Sequence, residues 1–525
     1  MSTPTISAAA EARTAAAGTA AAAEPRVVDK GLKPGTIGLL GSTVLGVVQT
    51  APAYSLAVTL GLLAATVGTQ APALIVLGFL PILCVTIMQR AFLRRDPDCG
   101  TMLVWVGRSL GPSLGWLTSW TAQVATLIAL ANLALVTGAY AFLAIGADSL
   151  ADSAVATTAV GLVWLAIVTA LALRGIELSS RLQTVLLVAG MAVLAVFTVV
   201  ALVKVAGGSA GDQAITPSLD WFNPASVDGS GALSAGLLLT IFLFWGWDGP
   251  SAVVEEADDA STPRRAIALS VALLLGFYLL SGVAVQSYAG VGTDGIGLGN
   301  EENAGDVLGV VGAAAIGSWF GTLMEIAVLT SAAACLAAAI VPSARALLAM
   351  GAYRALPETF ATVDRRTGAP VAGTIAIAAG SGAVLVLLQL VSQNVLADAI
   401  GALGLLIALY FTVFGIAYLW AFRTRILGGG PRALLVEGLL PLAGTAVLGW
   451  ALVRTLQDTY ATDYGSTTIL GVGGVFAIGA VAVGLGLALM LVWRLRAPAF
   501  FRGETFAPDY VREHRPDLVD ALPEA

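Results

Sequence analysis

Histidine is nearly missing from this 525-residue chain, which has one, His514. Without paired imidazoles, zinc coordination and histidine-based catalysis have no raw material. The three cysteines, Cys84, Cys99 and Cys335, show no metal-ligand spacing and sit in or beside apolar runs, where they read as small core residues. Charge is scarce as well. Asp, Glu, Lys and Arg make up 11% of the chain against 58% hydrophobic residues, too apolar a balance for a soluble protein. No gap between the apolar runs is long enough for a soluble domain to fold alone, which argues against a sensor with an output domain. No basic patch of the kind nucleic acids require is present. Nor is there a set of intramembrane His, Cys or paired acids at catalytic spacing, so an enzyme is not expected, and neither a cofactor nor a metal is implied.

What remains is a succession of membrane-grade segments. A spanning helix needs about 20 mostly apolar residues. Twelve such windows lie near residues 36–64, 72–90, 116–145, 154–173, 182–205, 232–254, 267–290, 314–344, 371–391, 396–421, 434–453 and 468–493. The expected fold is therefore an all-α integral membrane protein with twelve transmembrane helices. An excess of Lys and Arg in short connections marks the cytoplasmic side. With both termini inside, Arg90, Arg94, Arg95, Arg108, Arg174, Arg181, Arg264 and Arg265 fall inside with the basic stretches 345–366 and 423–432, and only Lys204 and Arg454 fall outside. Asp294, Glu301, Glu302 and Asp306 make the outer connections acidic, so the net charge of −7 averages two unlike faces. The Ala-rich residues 1–30 read as a disordered cytoplasmic tail, residues 31–496 as the membrane domain, and residues 497–525 as a second cytoplasmic tail.

Two spans carry helix-breaking chemistry in their interiors. The first, "TIGLLGSTVLGVVQTAPAYSLAVTLGLLA", holds Gly41, Gly46 and Pro52 among Ser42, Thr43, Gln49 and Thr50; the sixth, "GALSAGLLLTIFLFWGWDGPSAVVEE", holds Gly246, Gly249 and Pro250. They are the first members of two successive blocks of five. Interrupted helices in corresponding positions of two halves point to a transporter built on an inverted repeat, with a substrate cavity near the midplane. The repeats would cover residues 36–205 and 232–421, with two further helices at 434–493. Asp248, just after the sixth-span break, is expected to cap the restarted helix. Glu255 and Glu256 read as a solvated loop with local ion pairs, closure of an inner gate being the sharper alternative. Glu325 lies well inside the eighth span, where an acid is costly unless neutral, paired or facing water. It is a candidate for a coupling proton or a cationic substrate, against a protonated structural role. Gln123, Asn132 and Gln286 would line the pathway or bond a neighbouring helix.

Four stretches carry a resemblance to the amino acid-polyamine-organocation permeases: "FLFWGWDGPSAVVEEADDASTPRRAI", "CGTMLVWVGRSLGPSLGWLTSW", "SARALLAMGAYRALPETFATVDRRTGAPVAGT" and "GLKPGTIGLLGSTVLG". The resemblance implies a leucine-transporter-like fold of five plus five helices with two more. It implies a secondary transporter for amino acids or related amines in the cytoplasmic membrane, driven by protons or exchange rather than ATP. Polyamines or another small organic ion are the alternative substrate. It places substrate binding on Ser42, Thr43, Gly46 and Val47 of helix 1 and on Phe242, Leu243, Trp245 and Gly246 of helix 6, with Trp245 rather than Trp247 as gate aromatic. Thr330 and Ser331 resemble the hydroxyl pair that holds sodium in distant relatives, although hydroxyls in membrane helices commonly bond their own backbone. The chain departs from the family at Leu45-Gly46-Val47, where a Gly-small-Gly triplet is usual, at Gly190, where some members carry a coupling side chain, and at Ala352-Tyr353-Arg354.

Overall fold

A computed structural model describes residues 30–303, 306–391, 393–462 and 464–506. Most of each tail assigned above, with His514, lies outside the described residues. Among the described residues, eleven helical stretches are long and apolar enough to cross a bilayer, and the first, Leu39–Arg95, holds two spans, which gives the expected twelve.

Span one is α1 (Leu39–Val48) and α2 (Pro52–Val67), and span two is α3 (Ala71–Arg95). A short helix, α4 (Met102–Leu110), leads into α5 (Pro112–Leu143), followed by α6 (Ala154–Ala172) and α7 (Ile176–Ala206). The second set of five opens with α8 (Gly229–Phe244), which breaks and resumes as a 3-10 stretch, Gly249–Glu256. It continues with α9 (Thr262–Ala289), the short α10 (Val307–Ile316), α11 (Ser318–Ala352), α12 (Val371–Val391) and α13 (Gln393–Gly428). Two final helices, α14 (Leu440–Tyr460) and α15 (Gly474–Arg496), complete the molecule.

Where the boundaries moved, backbone chemistry accounts for it. Residues 314–316, placed in span eight, belong instead to α10, because Gly317 at φ +135° turns the chain before α11 begins. Residues 468–473, placed in span twelve, form a small antiparallel hairpin, β1 (Thr468–Ile469) and β2 (Val472–Gly473), turned by Gly471 at φ +82°. The lead-in to span eleven is a π-helical turn, Leu434–Leu439.

The centre of the bundle is α11, which packs against α5, α7 and α12. Lipid tails are as apolar as leucine, so helices in a membrane gain most by close backbone approach through small residues. The buried run Ala332–Ala333–Ala334 and Ala337–Ala338–Ala339 of α11 supplies that surface. Among the cysteines, Cys84 is the small residue that meets Gly444 where α3 crosses α14.

Candidate functional site

The helix 1 break lies at Gln49–Ala51, between α1 and α2, three residues beyond the Gly46-centred position expected from the sequence. Pro52 decides this. It lacks a backbone N–H and starts α2 at its first turn, and Ala51 before it turns into the left-handed region at φ +46°. Gly46 is therefore helical, and its task is approach: a Cβ there would lie 2.4 Å from Ser270 Oγ and 2.8 Å from the Trp247 carbonyl. The orphan carbonyls of the break have side-chain partners. Ser55 Oγ donates to Thr50 O at 2.6 Å and the Cys335 thiol to Gln49 O at 3.0 Å. At the start of α2, Ala53 N–H donates to Ser331 Oγ at 3.2 Å.

The helix 6 break runs from Trp245 to Asp248. Gly246 sits at φ +109°, and a Cβ on it would lie 2.5 Å from Gln49 O. Only glycine satisfies both the backbone conformation and the approach, so the two interrupted helices touch backbone to backbone at their breaks.

Around that contact lies a chamber lined by Gln49, Thr50, Tyr54, Asn132, Phe242 and Trp245, with apolar residues of α5 and α13. Tyr54 donates its hydroxyl to Asn132 Oδ1. The chamber's free space is about 20 Å³, so its side chains lie close together. Trp245 separates this chamber from a second, of about 90 Å³, lined by Gln123, Gly246, Asp248 and Tyr410 among others, and donates Nε1–H to Tyr410 Oη at 2.6 Å. Gln49 borders both, its Oε1 buried without a hydrogen-bond partner.

Towards the basic end, the charged residues behave differently from the solvated loop expected. Glu255 and Glu256 are held in the interior by cations from remote segments. Lys30 Nζ lies 2.5 Å from Glu255 Oε1 and 3.0 Å from Asp98 Oδ2, and Arg345 clasps Glu256 through two nitrogens at 2.5 and 2.8 Å. Tyr353 donates to Asp98 Oδ2 at 2.5 Å and Cys99 N–H to Glu255 Oε1 at 3.0 Å. Lys30, assigned from sequence to a disordered tail, is fully buried. Burial opposes its charge, but Asp98, Cys99, Glu255 and Tyr353 outweigh that and hold its ammonium well above the usual lysine range. Burial likewise opposes the Asp98 carboxylate, and Lys30, the Tyr353 hydroxyl and Arg108 reverse the effect and bring it below its ordinary value. Asp98, Cys99 and Glu255 place three metal-type atoms within 4.8 Å of one another, but the Lys30 ammonium takes the position a cation would fill. The backbone adds to this closure, with Thr36 and Ile37 N–H donating to Glu256 O at 3.0 and 3.1 Å. The approach to helix 1 and the exit of helix 6 are tied together.

Towards the acidic end stands a second charged group. Asp306 caps α10 by accepting from Gly309 N–H at 3.2 Å and is hydrogen-bonded to Glu325 of α11 and to Tyr140 of α5. Burial, with Glu325 beside it, pushes the Asp306 carboxyl up to about 7 against the lowering effect of Gly309 N–H and Tyr140. Glu325 Oε2 is buried without a hydrogen-bond partner, and Asp148 contributes further negative charge to its surroundings. Lys204, at the other end of α10, donates to Ala315 O at 2.6 Å.

Of the residues singled out from sequence, Phe242 and Trp245 line the first chamber and Gly246 the second. Ser42, Thr43 and Val47 lie buried within α1, and Leu243 is buried in the core. Thr330 donates to the carbonyls of Ile326 and Ala327 in its own helix, while Ser331 serves the start of α2. Asp248 is not a helix cap: a 3-10 stretch follows it, its side chain makes no cap bond, and it accepts from Gln89 Nε2 at 2.9 Å instead. Trp247 is fully buried and donates to Thr86 Oγ1 at 2.9 Å, and Gln286 bonds Thr69 O at 2.9 Å. Sequence reasoning missed Tyr54 and Tyr140 and passed over Cys335. The polar residues one helical turn or so from a Pro-marked break were the available signal for Tyr54 and Ser55; nothing local marks Tyr140.

A family model described as amino acid permease matches residues 43–454, a span that takes in both breaks and both charged ends. A search of curated proteins finds no match.

Proposed function

The chain belongs to the amino acid permease family, and from that premise we propose that it is a secondary transporter moving neutral amino acids across the cytoplasmic membrane by alternating access. The observation that carries this reading is the meeting of the two broken helices at Gln49 and Gly246 beside a chamber of mixed polar and apolar lining. Unwound backbone at membrane depth is tolerated where it borders an enclosed cavity, and its free dipoles suit the carboxylate and ammonium of an amino acid. No charged side chain is among the described residues lining the first chamber, which favours a neutral side chain over a polyamine. Phe242, Trp245 and Tyr54 are the substrate-facing side chains, and opening requires Trp245 to leave Tyr410. Both termini lie in the cytoplasm, on the side of the basic residues.

Transport is coupled to protons through Asp306, Glu325 and Tyr140. Two carboxyl groups in hydrogen-bond contact cannot both ionise cheaply, so one proton is shared at moderate pH. The test is uptake of a labelled panel of amino acids and amines into proteoliposomes, with and without an imposed pH gradient. Accumulation of neutral amino acids, increased by acid on the Asp306 side, is the expected result. Movement of amines alone would overturn the substrate reading, and uptake indifferent to the gradient in wild type would overturn the coupling.

A further inference from the structure

At the basic end, away from both chambers, α3 and α13 line a cleft with about 570 Å³ of free space. Four of its lining residues are arginines: Arg90 and Arg94 from the last turns of α3, Arg425 from the end of α13, and Arg432 from the turn that follows. Among the described lining residues one carboxylate, Glu437, faces them; its Oε1 accepts from Arg425 at 2.7 Å, and its backbone carbonyl accepts from the Tyr418 hydroxyl at 3.0 Å. Arg264, at the start of α9, also lies in the field of Arg94 and Arg90. Like charges so gathered repel one another, and one acid leaves the lining with a net charge of +3. The Nε of Arg90 is buried and has no hydrogen-bond partner. Guanidinium groups present a planar fork matched to phosphate oxygens.

The surroundings say how that phosphate is carried. Ile87, Ala91 and Val436 make the cleft's apolar wall. On the adjoining π-helical turn, Leu434, Leu435 and Leu439 are 43%, 54% and 50% exposed, and Leu427 is 78% exposed. In a chain that spans a bilayer, a row of exposed leucines beside a basic cleft at the helix ends meets acyl chains and headgroups together. We infer that this cleft is a binding site for one anionic phospholipid, its headgroup phosphate held by Arg90, Arg94 and Arg432 and its acyl chains lying along the leucines of residues 427–440. Arg425, already engaged by Glu437, forms the rim. The lipid fastens α3, which packs against α8 and α9, to the turn between α13 and α14.

The test uses the full chain in nanodiscs of a zwitterionic phosphatidylcholine, the same lipid with a quarter phosphatidylglycerol, and phosphatidylcholine with millimolar inorganic phosphate. Wild type should show a raised thermal midpoint with phosphatidylglycerol alone and keep a phospholipid through native mass spectrometry. Arg90→Gln/Arg94→Gln should lose both responses. Arg432→Gln, at an exposed position among the phosphate-holding arginines, serves should the double variant fail to fold, and should weaken both. Arg423→Gln, whose guanidinium lies over Trp420 outside the cleft, should respond as wild type. A response to phosphatidylglycerol undiminished in Arg432→Gln and in the double variant would overturn the site. Equal protection by inorganic phosphate would overturn the lipid in favour of a free anion.

Discussion

The basic and acidic ends of the helix bundle are held by opposite chemistry. At the basic end unlike charges meet: Lys30 with Asp98 and Glu255, and Arg345 with Glu256. At the acidic end like charges meet, Asp306 against Glu325, with the Tyr140 hydroxyl and a backbone N–H to moderate them. Lys30 and Asp98 each stabilise the ionised form of the other, so that contact needs no proton between its partners. A pair of carboxyl groups depends on a proton to stay together. Under the alternating-access reading proposed above, the basic end acts as a latch released by movement of α1 and the Gly249–Glu256 stretch, and the acidic end as a latch that pH can release.

The largest effect expected from this contrast comes from breaking the opposite-charge latch. Arg345→Ala leaves Glu256 buried without its cation and should cost about 3–5 kcal/mol of stability, seen as a lowered unfolding midpoint in detergent. Arg345→Met combined with Glu256→Gln removes both charges and should recover much of the loss. An unchanged midpoint in Arg345→Ala would show that the pair bears no load. Next comes the pivot between the ends. Gly246→Ala places a Cβ 2.5 Å from Gln49 O at a φ of +109°. Strain of about 1–3 kcal/mol at this point should reduce uptake roughly tenfold to a hundredfold while the protein still reaches the membrane. Normal uptake by this variant would mean that the breaks separate in the working protein.

The contrast also explains what the sequence could convey. Spans are local: about 20 apolar residues suffice to announce one, and Pro52, Gly246 and Pro250 mark the interruptions from within their own helices. In the sequence Gly46 looks like the hinge of helix 1, whereas in the structure it is a contact glycine against Ser270, a residue of another span, and the break follows it. The charged latches are not local at all. Lys30 and Glu255 are 225 residues apart and Tyr353 and Asp98 are 255 apart. With no partner in view, Glu255 and Glu256 read as loop acids and Asp306 as one more acid in an outer connection. Glu325 was legible as unusual from its depth; its carboxyl neighbour became evident only once α10 folded back against α11.

The like-charge latch makes a smaller and more diagnostic prediction. With the Asp306 carboxyl raised to about 7, its contribution to holding α10 against α11 is complete below the ordinary carboxylate range and is lost as pH rises through about 7. The fraction carrying the shared proton falls about tenfold between about pH 6 and about pH 8. Wild-type uptake limited by this proton should fall with it, and Asp306→Asn, which keeps a neutral hydrogen-bonding group at all pH values, should flatten the profile. A profile that keeps its midpoint in Asp306→Asn would place the titrating group elsewhere.

The smallest effect belongs between the two ends, at the hydroxyl pair of α11, the candidate for sodium as a third kind of closure. Thr330 donates back to Ile326 O at 2.8 Å and Ala327 O at 3.1 Å, and Ser331 accepts from Ala53 N–H at the start of α2. The first is occupied with its own helix and the second with stitching α11 to the restarted helix 1. Replacing a hydroxyl that bonds only its own helix changes little, so Thr330→Val should alter uptake by no more than about twofold in sodium or potassium buffer alike. Ser331→Ala, which removes the acceptor of Ala53 N–H, should cost more than Thr330→Val, again without a difference between the two cations. A sodium-dependent loss in either variant would make the comparison of two latches one of three, with an ion bound where α2 begins.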